Sequence, residues 1–321
     1  MFNREHFIRQ LLPWEMAAEH PVSHDLLLTY LRQYQQQDLL AHTHHRIGRV
    51  AMPGYDFCLQ HYRPLSGALA TAVVCHGYMD HMGLYGHLVR HLVDQHVEVY
   101  IFDLAGHGLS GGEPLAVDNF DVYAHQLDAV LQRLPESDLP LILIGQSTGA
   151  AVISAHEWLI GNQRIVDQRI FLAPLVRPAL WRAIRRQFHM LKHFLNQVPR
   201  RYTANSHDAA FLRFLRKTDP MQHGEIPLSW IAAMQSWADF IENAEPRLGA
   251  VTCIQGMSDG TVDWHHNLRV LMRAYPQLKV ELIEGARHHL VNESPKYRNQ
   301  AFAVIDQVLS GLLESPAEVS G

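Results

Sequence analysis

Six short apolar runs recur along the chain: LATAVVC (69–75), VEVYIFD (97–103), LILIG (141–145), RIFLA (169–173), AVTCIQ (250–255) and LKVELI (278–283). They are continuous rather than alternating, the pattern of strands buried on both faces of a parallel sheet. Between most of them apolar residues recur at helical spacing, as in YGHLVRHLVDQ and VYAHQLDAVLQRL. Residues 46–64 predict a hairpin turning at Pro53-Gly54. Residues 1–45 are polar and helical in pattern, with Leu26, Leu27, Tyr30, Leu31 and Tyr34 on one face. The final helix starts at Ser294-Pro295, a cap followed by a residue suited to the first turn, and the tail ESPAEVSG is expected to fray. The alternation breaks between 176 and 246. ALWRAIRRQFHMLKHFLN and LSWIAAMQSWADFIEN read as helices, and no strand is convincing there. The expectation is an α/β fold with a mostly parallel sheet flanked by helices. Its core would comprise 46–175 and 247–315, with a helical cap insert at 176–246 and an N-terminal helical extension at 1–45.

Composition narrows the class. The 321 residues are 47% hydrophobic and 18% charged, ordinary for a soluble globular protein. A net charge of −5 gives no reason to expect nucleic acid. Cys58, Cys75 and Cys253 lie in strand-like runs and read as buried thiols in a reducing compartment. Arg4, Glu5, Arg9 and Glu15 interrupt any leader-like apolar stretch, and no run approaches the roughly 20 residues of a membrane span. The expected location is cytoplasmic, at most peripheral at the inner membrane surface. Seven Lys or Arg and no acidic residue fall within 177–201, beside a stripe of Leu180, Ile184, Phe188, Leu191 and Leu195. That segment reads either as a contact for an anionic lipid surface or as a cap helix whose basic side is merely solvated. Trp181, Phe188, Phe194, Trp230 and Trp237 line a tunnel for an apolar chain or form the insert's own core; the pattern leaves both open. His42, His44 and His45 lie close together without further ligands at suitable spacing, so no metal is expected.

The chemistry is concentrated in LILIGQSTGAAVISAHEWL (141–159). Gly145-Gln146-Ser147-Thr148-Gly149 has the G-x-S-x-G form between a strand and a helix, the context of a nucleophile elbow. The tight turn explains the two glycines, and the helix would aim its N-terminal amides at the serine. A serine hydroxyl needs a base, and the base an orienting acid, which in this architecture follow in the order acid then histidine. The acid candidates are Asp259 and Asp263, after the 250–255 run; the base candidates are His288 and His289, after the last run.

The segment HGYMDHMGLYGHLVRHLVDQHVEVYIFDLAGHGLSGG (76–112) resembles the α/β-hydrolase family, in its monoglyceride lipase and bacterial lysophospholipase branch of serine aminopeptidase-like hydrolases. The matching motifs are His76-Gly77-Tyr78-Met79-Asp80-His81 and Phe102-Asp103-Leu104-Ala105-Gly106-His107-Gly108-Leu109-Ser110. The resemblance covers roughly 46–175 and 247–310. It implies Asp259 as the acid (Gly256-Met257-Ser258-Asp259), with Asp263 as fallback, and His288 as the base (Ala286-Arg287-His288). It further implies an oxyanion hole from the backbone N–H groups of Tyr78 and Thr148, although Thr148 stands where this branch commonly has methionine. His76, His107, Asp103, Asp80 and His81 read as loop-bracing residues. The implied activity is hydrolysis of a carboxylic ester, preferably a lysophospholipid or monoacylglycerol, without metal or organic cofactor. A peptidase or small-ester esterase on the same triad, a non-catalytic binding protein of the same fold, and acyl transfer to another acceptor stand as alternatives.

Overall fold

The apolar runs become the strands of one sheet in the computed structural model, which describes residues 2–18, 22–161 and 164–314. The chain opens with α1 (Arg4–Gln10) and α2 (His24–Gln33), then the hairpin β1 (Thr43–Met52) and β2 (Tyr55–Pro64). The alternating part follows: β3 (Ala70–Cys75), α3 (Gly86–Asp94), β4 (Val97–Phe102), α4 (Asp121–Leu131), β5 (Leu141–Gln146), α5 (Thr148–Leu159) and β6 (Gln168–Leu172). Next come α6 (Trp181–Leu191), β7 (Gln197–Pro199), α7 (Ala209–Lys217), β8 (Glu225–Pro227) and α8 (Leu228–Ile241). The sheet resumes with β9 (Val251–Gly256), α9 (Trp264–Ala274) and β10 (Lys279–Ile283), and α10 (Pro295–Glu314) closes the described chain. Of the expected frayed tail, residues 315–321 lie outside the described residues.

The eight-stranded sheet runs β1-β2-β4-β3-β5-β6-β9-β10. The β1–β2 and β2–β4 pairs are antiparallel and every later pair is parallel. Because successive side chains on a strand point to opposite faces, each strand feeds two cores. Val73 and Cys75 of β3 belong to the core that α4, α5, α8 and α9 share, whereas Ala72 and Val74 belong to the core that α1, α2, α3 and α10 share. Full burial of each of these two valine side chains contributes about 1.5–3 kcal/mol. The strand order reverses around β3, and ligands bind at the carboxyl ends of strands beside such a reversal. The loops after β3, β5, β9 and β10 leave the sheet at that end.

The described residues of the 1–45 segment dock on the sheet. Phe2, Phe7, Tyr30 and Tyr34 form an aromatic cluster on one face of the sheet. The Trp14 N–H donates to the Arg49 carbonyl (2.7 Å) and the Arg49 N–H to that of Leu12 (2.8 Å), laying this stretch along β1. Between β6 and β9 the structure departs from the helical reading in one respect: β7 and β8 form a small antiparallel ribbon. Three-residue strands that each end in proline leave no periodicity to read. Helix α6 also stops at Leu191, short of the 196 that the pattern predicts. All three cysteines are buried and free. Among the described residues no helix is long and apolar enough to cross a membrane, and no group of three or more His, Cys, Asp or Glu is arranged to hold a metal.

Candidate active site

Ser147 stands between β5 and α5 with φ 54° and ψ −113°. This is a left-handed region that a non-glycine residue occupies at a cost of about 1–3 kcal/mol, kept only where the surroundings over-determine it. Here they do. The Ser147 N–H donates to the Leu172 carbonyl (2.8 Å), and its own carbonyl accepts from Ala150 and Leu175 (both 3.1 Å). The flanking glycines have no room for a side chain. A methyl carbon at Gly149 would lie 1.9 Å from the Cys75 carbonyl oxygen, and one at Gly145 would lie 2.4 Å from the Ala150 nitrogen. The serine is left only 9% exposed, at the N-terminal end of α5.

The candidate acid and the candidate base meet across β9 and β10. His288 Nδ1 donates to Asp259 Oδ2 at 2.8 Å, both side chains being buried. The carboxylate can only accept, so Nδ1 carries the proton and Nε2 is the nitrogen left for proton exchange. Gly256 permits this approach, since a methyl there would sit 2.5 Å from the carbonyl oxygens of Ala286 and Arg287. The remaining lone pairs of Asp259 accept from the Thr261 and Val262 N–H groups (2.7 and 3.2 Å) and from Gln255 Nε2 (3.1 Å). Burial works against both charges, but their mutual attraction outweighs it. His288 is pushed above the ordinary histidine value, with Asp80 adding to the effect, and Asp259 is held below the ordinary carboxylate value. The other two candidates go elsewhere: Asp263 caps α9 by accepting from the His266 N–H, and His289 contacts Asp80 (3.1 Å).

Gln146, Gln255 and Tyr85 were not singled out by the sequence. Gln146 Nε2 donates to the His288 carbonyl (3.0 Å) and so ties the residue before the serine to the histidine loop. Its signal, and that of Gln255, is a polar residue at the end of an otherwise apolar strand. Gly77 lies against the elbow: a methyl there would be 3.5 Å from Ser147 Cβ. The Gly77 N–H donates to the Tyr85 hydroxyl, which donates to Asp80 (each 3.0 Å). Neither the Tyr78 nor the Thr148 N–H donates to another described residue. His76 accepts from the Leu104 N–H (2.9 Å) and donates to the Gly77 carbonyl (2.7 Å), while Asp103 accepts from Met82 and Leu109 N–H groups. Burial lowers His76, and takes His107 down to about 3. The Tyr78 ring stacks on Trp230 at 3.5 Å between centroids. Trp181 and Trp237 are buried in the same core, with Trp237 stacked on Phe120. Phe188 is half-buried beside His189 and Lys192, and Phe194 is largely exposed.

A family model described as serine aminopeptidase, S33, matches residues 67–295, well over half of the chain and all of the geometry above. The chain belongs to this family of α/β-hydrolases. Within it the monoglyceride lipase-like branch stands out. Monoglyceride lipase of Homo sapiens is 27% identical over 272 residues, covering 80% of this chain and 87% of that protein. The monoglyceride lipase homolog of Monkeypox virus is 22% identical over 264 residues, covering 78% and 93%. Among solved structures, a soluble variant of monoglyceride lipase from Saccharomyces cerevisiae in complex with a substrate analog superposes with a TM-score of 0.74 at 18% identity, over 85% of this chain and 97% of that one. Monoacylglycerol lipase from Paleococcus ferrophilus gives 0.65 at 17% identity, over 76% and 96%. These structural likenesses carry the fold, and the family membership makes this α/β-hydrolase a hydrolase.

Proposed function

We propose that this α/β-hydrolase cleaves carboxylic esters of single-chain lipids, lysophospholipids or monoacylglycerols, through an acyl-enzyme on Ser147. The observation that carries the reading is the buried 2.8 Å Asp259–His288 pair, tied by Gln146 to the strand that ends at Ser147. In this reading Ser147 attacks the ester carbonyl as His288 Nε2 accepts its proton, and Asp259 holds the tautomer and balances the imidazolium. The N–H groups of Tyr78 and Thr148 receive the oxyanion, each such donor being worth about 10²–10³ in rate. His288 then protonates the leaving alcohol, and water releases the acyl group. Residues 176–246 serve as a cap over the 46–175 and 247–315 core. Trp230, stacked on Tyr78, would face the acyl group, with Trp181 and Trp237 behind it and Phe188 at the edge.

The family description invites a peptidase alternative. An aminopeptidase needs a carboxylate free to hold the substrate ammonium. Beside the serine, Asp80 is already engaged by His289 and Tyr85, and Asp259 by His288. The lipid-ester reading is favoured on that ground. The deciding experiment is a panel of lysophospholipids, monoacylglycerols, short-chain esters and aminoacyl-peptides. Fatty acid release at the highest kcat/KM supports the proposal; preferred release of amino acids from peptides overturns it.

The pH profile follows from the pair. The base must be neutral, and Asp259 stabilises the charged imidazolium, so His288 gains its proton at a higher pH than a free histidine. Activity is therefore present above that pKa and lost as pH falls through it. The acid limb of kcat/KM is expected above the roughly 6.5 of an unperturbed histidine. A limb below 6 would contradict the assigned partner.

The 177–201 segment supports peripheral attachment to an anionic lipid surface. It carries seven positive charges in a chain whose net charge is −5, leaving −12 elsewhere. On α6 only Trp181 is buried, while Leu180, Met190 and Phe194 around it are 80%, 62% and 82% exposed. Charge and exposed apolar side chains on one segment suit acidic headgroups with shallow insertion. Arg182, Arg186 and Lys192 are exposed. Reversing all three to Glu is expected to weaken co-sedimentation with phosphatidylglycerol vesicles by at least about 100-fold, at about 1 kcal/mol per charge. Equal binding of wild type to neutral phosphatidylcholine vesicles would refute the attachment.

A further inference from the structure

Residues Gly77 to Asp80 form a tight turn closed by the Asp80 N–H on the Gly77 carbonyl (3.2 Å). Met79, its third residue, has φ 64°, a conformation that such turns ordinarily give to glycine or asparagine. The turn carries the Tyr78 N–H, so its exact shape sets where that donor points. A non-glycine residue in this conformation costs about 1–3 kcal/mol and needs external support.

That support comes from two parts of the chain that otherwise lie outside the catalytic core. Asp219, after α7, is buried and accepts four hydrogen bonds: from His81 Nε2 (2.9 Å), the Tyr34 hydroxyl (3.0 Å), the Met221 N–H (3.1 Å) and Gln222 Nε2 (2.8 Å). His81 immediately follows the turn, and Gln222 also donates to the Met79 carbonyl (3.3 Å). Tyr34 follows α2, and its ring meets His81 edge-on at 5.0 Å. Burial pushes the Asp219 carboxyl up, but His81, with Gln222 and the Met221 N–H, holds it down to about 2. A buried carboxylate–imidazole pair repays its desolvation poorly as a source of stability, and the best attested use of such buried polar pairs is to fix one geometry among several.

We infer that the buried Asp219–His81 pair, closed by Tyr34, is a positioning device through which the N-terminal segment and the insert set the oxyanion turn. It gives residues 1–45 a role in the reaction. Asp219, His81 and Tyr34 touch no reacting atom; they act through the Tyr78 N–H. The inference rests on the ester-hydrolase reading above, because it needs that N–H to be an oxyanion donor.

The test compares Asp219→Asn and Tyr34→Phe with wild type, using the full chain and the best ester of the panel. Labelling of wild-type Ser147 by a fluorophosphonate is scored first; its absence overturns the serine-hydrolase reading, and this inference with it. With labelling established, Asp219→Asn is expected to lower kcat by about 10–100-fold with KM changed less than about 3-fold, part of the value of one oxyanion donor. Affinity for a trifluoromethyl ketone, whose adduct places an oxyanion in the hole, is expected to fall by the same factor as kcat/KM. Tyr34→Phe, which removes one hydroxyl, is expected to show the same paired loss at about 3–10-fold. Asp306→Asn, which breaks a partly exposed His–Asp pair with His91, serves as the matched control and leaves both quantities unchanged. A lowered Tm in Asp219→Asn with kcat/KM and ketone affinity intact makes the pair purely structural and overturns the inference. If Asp219→Asn fails to fold, wild-type values in Tyr34→Phe overturn it equally.

Discussion

Ser147→Ala protein is expected to fold like wild type and to lose about 10⁵–10⁶ in kcat, the scale on which removing the nucleophile of a serine triad acts. Alanine tolerates φ 54° no worse than serine does, and the backbone bonds that pin residue 147 do not involve its hydroxyl. The loss would therefore be chemical rather than structural. Fluorophosphonate labelling should vanish with it, while Tm stays within a few degrees. Retention of even one per cent of activity would remove Ser147 from the centre of the mechanism, and unlabelled but well-folded wild type would favour a binding protein.

Asp259→Asn is expected to cost about 10⁴ in kcat, and the structure gives a specific reason. Asp259 Oδ1 takes two backbone donors, from Thr261 and Val262, whereas Oδ2 faces His288. An asparagine placed there keeps its carbonyl oxygen on the two backbone N–H groups and turns its amino group toward the ring. His288 Nδ1 must then accept, so the ring's single proton moves to Nε2, on the side where a base has to be unprotonated. The remedy is pH-sensitive: activity should recover partly at alkaline pH with hydroxide-assisted attack, and the acid limb should shift downward without the carboxylate. A drop below tenfold would point to another acid, although Asp263, engaged as a helix cap, is poorly placed to serve.

Much of this was legible in the residues. Ser147 could be proposed as the nucleophile because its pentapeptide joins a strand to a helix, a context the structure shows, and the two glycines have a packing reason that it makes concrete. The parallel strands could be read because burial on both faces leaves unbroken apolar runs; each observed end falls within a residue or so of the predicted one. The choice between Asp259 and Asp263, and between His288 and His289, was not decided by spacing. It depends on which carboxylate faces which ring after β9 and β10 are laid side by side. Gln146 and Asp219 were invisible for a related reason: each finds its partner more than a hundred residues away, and an isolated polar residue carries no mark of the group it will meet. The β7–β8 ribbon escaped because three residues are too few to show a period.

The left-handed backbone at 147 also bears on descent. Glycine would relax that position at once, so a lineage released from its chemistry would gain stability by the simplest exchange available there. A hydroxyl kept at this site against that pull is what selection for its chemistry would leave behind, and glycine there is what the loss of that selection would leave.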